Sequence, residues 1–278
     1  MNIVNILEEI EKVDGEIYER LSPRRKAMQQ FFGMGSKIAA AAMPFALGSM
    51  FNKAYGQTVP AAVVNVLQYA LTLEHFEYQF YVAGYNSAAV ATASANDKAA
   101  ILAIRDSEGK HVDFLKTVIS GTGNTPVSAK ASYDFTAQGN FATVMTSYTT
   151  FLAVAQVLED TGVRAYKGRA AELINQKVYL TAALGIHAVE ARHAAKIRYM
   201  RRVNGHVPTL KPYITGANDS GVTAAANNYV REDNVSQAGI TITGINGMSI
   251  SANAASQAFD EPLTAAEVLA LVAPFGVS

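Results

Sequence analysis

The sequence predicts an all-α fold, a four-helix bundle followed by a mostly irregular C-terminal appendage. Three observations predict it. From Thr58 to about Val203, apolar residues recur at three- and four-residue steps, the period of helices that bury one face. Four segments with that period each carry a glutamate on the apolar stripe. The link between the second and third segments, residues 121–139, spans roughly 60 Å when extended. A helix of about 24 residues is only about 36 Å long, so this link can cross the whole bundle and make those two helices parallel.

The elements follow in order. Residues 1–57 read as an export signal: Arg24 and Arg25 precede a moderately apolar stretch, 38–51, that ends at the small residues Ala54 and Gly56. The paired arginines resemble a twin-arginine signal, although the segment before them is long and Ala27-Met28 follow them. That route exports folded chains, so the protein is expected in the periplasm or cell envelope; the other reading is an amphipathic N-terminus packed on the domain. The bundle is expected over 58–203. Its first helix, 58–84, has Pro60 in its first turn and Val63, Leu67, Ala70, Glu74, Glu77 and Tyr81 along one face. The second, 97–120, aligns Ile101, Ile104, Glu108, His111 and Leu115. The third, 140–167, carries Met145, Leu152, Ala155, Glu159 and Gly162. The fourth, 175–203, carries Leu180, Leu184, His187, Glu190 and His193, and Gly205 with Pro208 closes it. In the appendage, 204–278, "GITITGINGMSIS" reads as a β-hairpin turning at Asn246-Gly247. Thr264 and Glu267 form a capping box for a short helix through Leu271. The appendage could cover the bundle, restrict access to it or mediate assembly.

Glutamates on core stripes point to metal. A buried, unpaired carboxylate is strongly disfavoured, and several converging ones also repel each other. Glu108 and Glu190 each have a histidine three residues on, and side chains at i and i+3 share a helix face, so each pair can grip one ion. Two divalent cations would balance four carboxylates. The alternative is four glutamates on solvated faces. Counting from the shared end of the first two helices, Glu74 and Glu108 lie at nearly one height, and Glu77 fits less well. Glu159 and Glu190 match less neatly under these boundaries.

Glutamate on the first and third helices with Glu-x-x-His on the second and fourth resembles the ferritin-like di-iron or di-manganese carboxylate proteins, a match to a known pattern. The wording "LTLEHFEYQFY" (71–81), "VLEDTGVRAY" (157–166) and "AVEARHAA" (188–195) is similar to the ferritin-like domain proteins related to plant desiccation-associated proteins. The resemblance implies two iron or two manganese ions held by Glu74, Glu108, His111, Glu159, Glu190 and His193. In it, Glu108 and Glu190 bridge the ions and each histidine completes one ion's shell. It further implies an oxidoreductase acting on dioxygen or hydrogen peroxide, of ferroxidase, peroxidase or catalase type. A non-catalytic envelope or desiccation-related protein on the same scaffold is the second reading. No fifth bundle helix directly follows the fourth, which argues against an iron-storage cage; a smaller homo-oligomer stays open.

His75 and His187 lie near the expected ligands, and hydrogen-bonded core histidines are the favoured reading over proton transfer. Tyr78, Tyr81 and Tyr148 could reach the metals, though aromatics at helical spacing usually pack. Gly109 and Gly185 cost about 1 kcal/mol each against alanine in a helix interior, which suggests close helix approach. No nucleophile elbow, P-loop or dinucleotide fingerprint is present. Lys+Arg and Asp+Glu both number 23, so the basic excess of a nucleic-acid binder is missing. The absence of cysteine excludes disulfides, thiolate catalysis and cysteine-rich zinc sites. No run of 18 apolar residues suggests a membrane span.

Overall fold

The computed structural model describes residues 59–277. The export-signal reading of 1–57 lies outside the described residues. Four long helices form the bundle: α1 (Ala61–Tyr85), α3 (Ala95–Gly121), α4 (Tyr148–Ala170) and α5 (Lys177–Val203), with a single turn, α2 (Ala88–Ala91), between the first two. Serines start three of them. Ser87, Ser94 and Ser147 accept hydrogen bonds from Val90, Asp97 and Thr150 backbone N–H groups, each satisfying a donor that the first turn leaves open.

The third bundle helix begins at Tyr148, well after the expected residue 140. Asp134 explains the delay. Its carboxylate accepts from the backbone N–H of Thr136 and Gln138 and from the Thr136 hydroxyl, winding a tight turn. Ala137, Gln138 and Gly139 then take φ of 49°, 58° and 88°, which no right-handed helix accepts. Met145 therefore sits in the connection, not on the helix.

α1 packs along α3, and α4 along α5; the pairs meet through α1 with α4 and α3 with α5. Asp97, at the start of α3, accepts from the Tyr148 hydroxyl at the start of α4 and from Asn204 Nδ2 just past α5, both at 2.9 Å. Those bonds gather the starts of α3 and α4 at one end, so the two helices are parallel. The connection 122–147 returns along α1. Gln68 donates to Thr125 O and accepts from Val127 N, both at 2.8 Å, and Tyr133 and Phe135 lie against Phe76. Among the described residues, no helix is long and apolar enough to cross a membrane.

Two apolar clusters fill the bundle. One gathers Phe76, Phe80, Ile101, Phe151 and Ile197; the other gathers Val63, Leu67, Leu115, Ile119 and Tyr179. Along each helix the glutamates fall between the two. On α5 the buried face follows Tyr179, Ile186, Glu190, His193 and Ile197, so Leu184, expected on the stripe, is 46 % exposed.

The appendage covers the bundle. Its strands β1 (Ser236–Gln237) and β2 (Ile240–Thr241) pair antiparallel around Ala238-Gly239, where φ is 51° and 80°. Asn246-Gly247 also turns the chain, with backbone bonds from Met248 N to Ile245 O and from Ile250 N to Thr243 O across it, but no strand pair forms there. The ladder thus forms one turn earlier than expected. After α6 (Ala252–Ser256), α7 (Ala265–Val272) carries the anticipated Thr264–Glu267 capping box, and Val268, Val272 and Phe275 enter the first apolar cluster.

Three buried arginines on the bundle hold this layer. Arg164 donates to the carbonyls of Asn228, Val230 and Glu261 and pairs with Glu232 at 2.7 Å. Arg198 grips Asp160 and Asp219, and Arg201 donates to Gln156 and Ser220 O. Gly168 lies against the Leu263 carbonyl so closely that a Cβ there would overlap it.

Candidate metal centre

One layer of the bundle is polar. α1 contributes Glu74, α3 Glu108 and His111, α4 Glu159, and α5 Glu190 and His193, none more than 8 % exposed. Helical spacing does the positioning: on α3 and α5 the glutamate and the histidine three residues later point the same way. His111 Nδ1 lies 3.2 Å from Glu74, 3.1 Å from Glu108 and 3.2 Å from Glu190. His193 Nδ1 lies 2.6 Å from Glu108 Oε1 and 3.5 Å from Glu159 Oε2. The structure thus brings together all six residues singled out from the sequence.

They form two overlapping groups. Glu74, Glu108, His111 and Glu190 offer ligand atoms within 4.8 Å of one another, and so do Glu108, Glu159, Glu190 and His193. Glu108 and Glu190 belong to both. Hydrogen bonds alone do not account for the arrangement. Glu108 Oε1, Glu159 Oε2, both oxygens of Glu190 and His193 Nδ1 are buried without a hydrogen-bond partner, although some lie within 4 Å of each other. Leaving so many polar atoms unsatisfied costs on the order of 1–3 kcal/mol apiece. Cations at the centre of each group would satisfy them, and the hard carboxylate oxygens with imidazole nitrogen suit iron or manganese. The buried groups therefore fit a di-metal site.

The electrostatics agree. Burial, reinforced by Glu108 and Glu74, pushes Glu190 well above the usual carboxylate range. Burial also raises Glu74 to about 7, against the pull of His111 and Tyr166. Glu108 goes the other way. Burial would raise it, but the two imidazoles beside it hold it at about 2. Burial alone would lower both imidazoles, and the carboxylates around them reverse this, taking His193 up to about 11.

Two tyrosines brace the outer carboxylates. Tyr81 donates to Glu159 Oε1 and Tyr166 to Glu74 Oε1, from opposite ends of α1 and α4. Tyr81 was a candidate in the sequence; Tyr166 was missed, although it continues the stripe through Glu159 and Gly162 by one more turn. Glu77, which fitted the metal level less well, belongs to neither group but is buried beside it. A Cβ on Gly162 would lie 3.2 Å from Glu77 Oε1 and 3.3 Å from Glu190 Oε2, so that glycine leaves room for both carboxylates. Burial, then Glu190, raises Glu77 well above its ordinary value.

The remaining candidates separate cleanly. His75 Nε2 donates to Val127 O in the connection, and His187 Nδ1 to Val163 O, so both are hydrogen-bonded core histidines. Tyr148 binds Asp97 at the end of the bundle, away from the carboxylates. Gly109 does permit close approach, with Tyr78 3.1 Å from where its Cβ would stand; Gly185 does not, since nothing lies within 4 Å.

A match to the ferritin-like domain covers residues 62–202, half of the chain and all four bundle helices. The chain belongs to the ferritin-like family. This ferritin-like protein matches no curated protein and no solved structure. The family carries the di-metal scaffold, and the buried carboxylate and imidazole groups of this member suit two ions.

Proposed function

We propose that the protein is a di-metal carboxylate oxidoreductase acting on dioxygen or hydrogen peroxide, with Glu74, Glu108, His111, Glu159, Glu190 and His193 holding two iron or two manganese ions. The observation that carries this reading is the sharing of Glu108 and Glu190 between two four-residue groups in which Glu108 Oε1, Glu159 Oε2 and both oxygens of Glu190 lack hydrogen-bond partners. Two adjacent redox ions supply a two-electron change, as reduction of either oxidant requires.

The chain's own residues have distinct tasks. Tyr81 and Tyr166 fix the orientation of Glu159 and Glu74 through hydrogen bonds to their outer oxygens. The apolar clusters on either side keep bulk water out. Burial beside Glu190 favours the protonated form of Glu77, which would place a proton donor next to the centre. Elemental analysis of protein from an exporting host tests the site. About two iron or manganese atoms per chain, lost in Glu108→Ala/His193→Ala, are expected; a metal-free wild type after reconstitution would refute it. A loaded protein that consumes neither oxidant with any donor would refute the activity.

A second reading is a non-catalytic envelope protein of the desiccation-related type with a structural metal. The deep burial of all six residues favours it. Water exchange at the ions, measured by relaxation of solvent protons on the manganese form, separates the readings: exchange supports catalysis, and a closed shell supports the structural role.

A further inference from the structure

Between α3 and α5 the bundle surface carries a shallow, open groove of about 410 Å³, and His111 is one of the residues that line it. The His111 ring stands between two worlds. Its Nδ1 faces Glu74, Glu108 and Glu190, so the opposite edge, with Nε2, is the part that meets the groove. An imidazole that gives Nδ1 to a cation carries its proton on Nε2 and needs an acceptor there.

We propose that this groove binds a small neutral aromatic alcohol, a phenol or naphthol, as electron donor to the centre. Charge and shape select that occupant. Among the described residues, no Asp, Glu, Lys or Arg side chain lines the groove, so an ionic donor would lose its hydration without compensation. Ile186 and Val189 supply apolar walls, with the small residues Ala182 and Gly185 beside them. No atom lies within 4 Å of where a Gly185 Cβ would be. Against these walls the polar side chains are the His111 imidazole and the Thr181 hydroxyl, and one phenolic O–H can accept from the first and donate to the second. The donor's redox role rests on the di-metal reading above; its binding does not. In the reaction, two phenol molecules each give up one electron and one O–H proton, becoming phenoxyl radicals. Hydrogen peroxide takes both electrons and both protons, its O–O bond breaks, and two waters form.

The test is titration of 2-naphthol into chelator-treated protein, followed by its fluorescence, for wild type, Gly185→Ala and Gly185→Leu. Leucine has room on α5 and fills the groove without touching a carboxylate. Saturable binding of one naphthol per chain, weakened at least tenfold by Gly185→Leu and little by Gly185→Ala, is expected. Neither variant should melt below wild type, and the metal content of both should match it, which reports that the fold is intact. No saturable binding, or binding indifferent to Gly185→Leu, would overturn the proposal. So would a dimer that Gly185→Leu dissociates in size-exclusion chromatography, because a second copy would then own the groove. A wild type that binds naphthol but takes up no metal on reconstitution would refute the oxidoreductase reading and leave the binding site standing.

Discussion

Gly162→Ala separates the demands of the fold from those of the centre. The residue is buried on α4, and an alanine Cβ would stand 3.2 Å from Glu77 Oε1 and 3.3 Å from Glu190 Oε2. Both contacts are tighter than ordinary packing, so each carboxylate must retreat by a few tenths of an ångström. Alanine gains about 1 kcal/mol of helix propensity over glycine. In chelated protein the carboxylates are free to shift, and most of that gain should survive, raising Tm by about 2–4 °C. With metal present, Glu190 is displaced from its position in both groups. A tenfold loss of affinity, about 1.4 kcal/mol, would offset the gain. The assay is a pair of melts, with chelator and with fixed free Mn(II), with Gly185→Ala as control. Gly185 has nothing within 4 Å of its Cβ, so that variant should show the propensity gain in both melts. A Gly162→Ala protein whose metal-dependent rise in Tm equals that of wild type would refute the argument that this glycine makes room for the carboxylates.

Three further outcomes are expected. Chelated protein should lose stability as pH rises from 5 to 8. Glu74 is raised from 4.5 to about 7 and His193 from 6.5 to about 11, so the folded state holds extra protons below those values and their stabilisation fades as pH climbs through them. Melts at three pH values check this, and a chelated Tm that rises over the window would contradict it. Arg164→Met leaves Glu232 buried without its partner and should cost about 3–5 kcal/mol in urea unfolding, with metal stoichiometry unchanged in the folded protein; a loss under 1 kcal/mol would show that the latch is dispensable. Arg24→Lys/Arg25→Lys should hold the chain in the cytoplasm, read by fractionation and immunoblot, and unaltered export would dismiss the twin-arginine reading.

The metal-site candidates were legible because they obey local rules. Glu108 with His111 and Glu190 with His193 are three-residue spacings, and a glutamate on an apolar stripe is visible without coordinates. The parallel pair α3 and α4 followed from chain length alone. Helix starts were harder. Ser147 caps α4 as well as any serine could, yet nothing local ranks it above Asn140 until Asp134 is seen holding its own turn. Leu184 was misplaced because periodicity does not fix which face turns inward at the end of a helix. Tyr166 and Gly162 became meaningful only when α1 and α5 were brought beside them. The appendage was least legible. Nothing in the sequence singles out Arg164, Arg198 and Arg201, and their partners in the appendage lie where no periodicity points to them.

Those distant partners impose a schedule. Arg164 donates to the Glu261 carbonyl across a separation of 97 residues. At about 5–20 residues per second, a ribosome takes roughly 5–20 s to deliver that carbonyl after the arginine is made. Once α5 too has been made, the bundle helices still wait for their cover, with the appendage partners of Arg164, Arg198 and Arg201 incomplete. A nascent chain is in this sense a different molecule from the finished one, with its bundle less enclosed until the last segment docks.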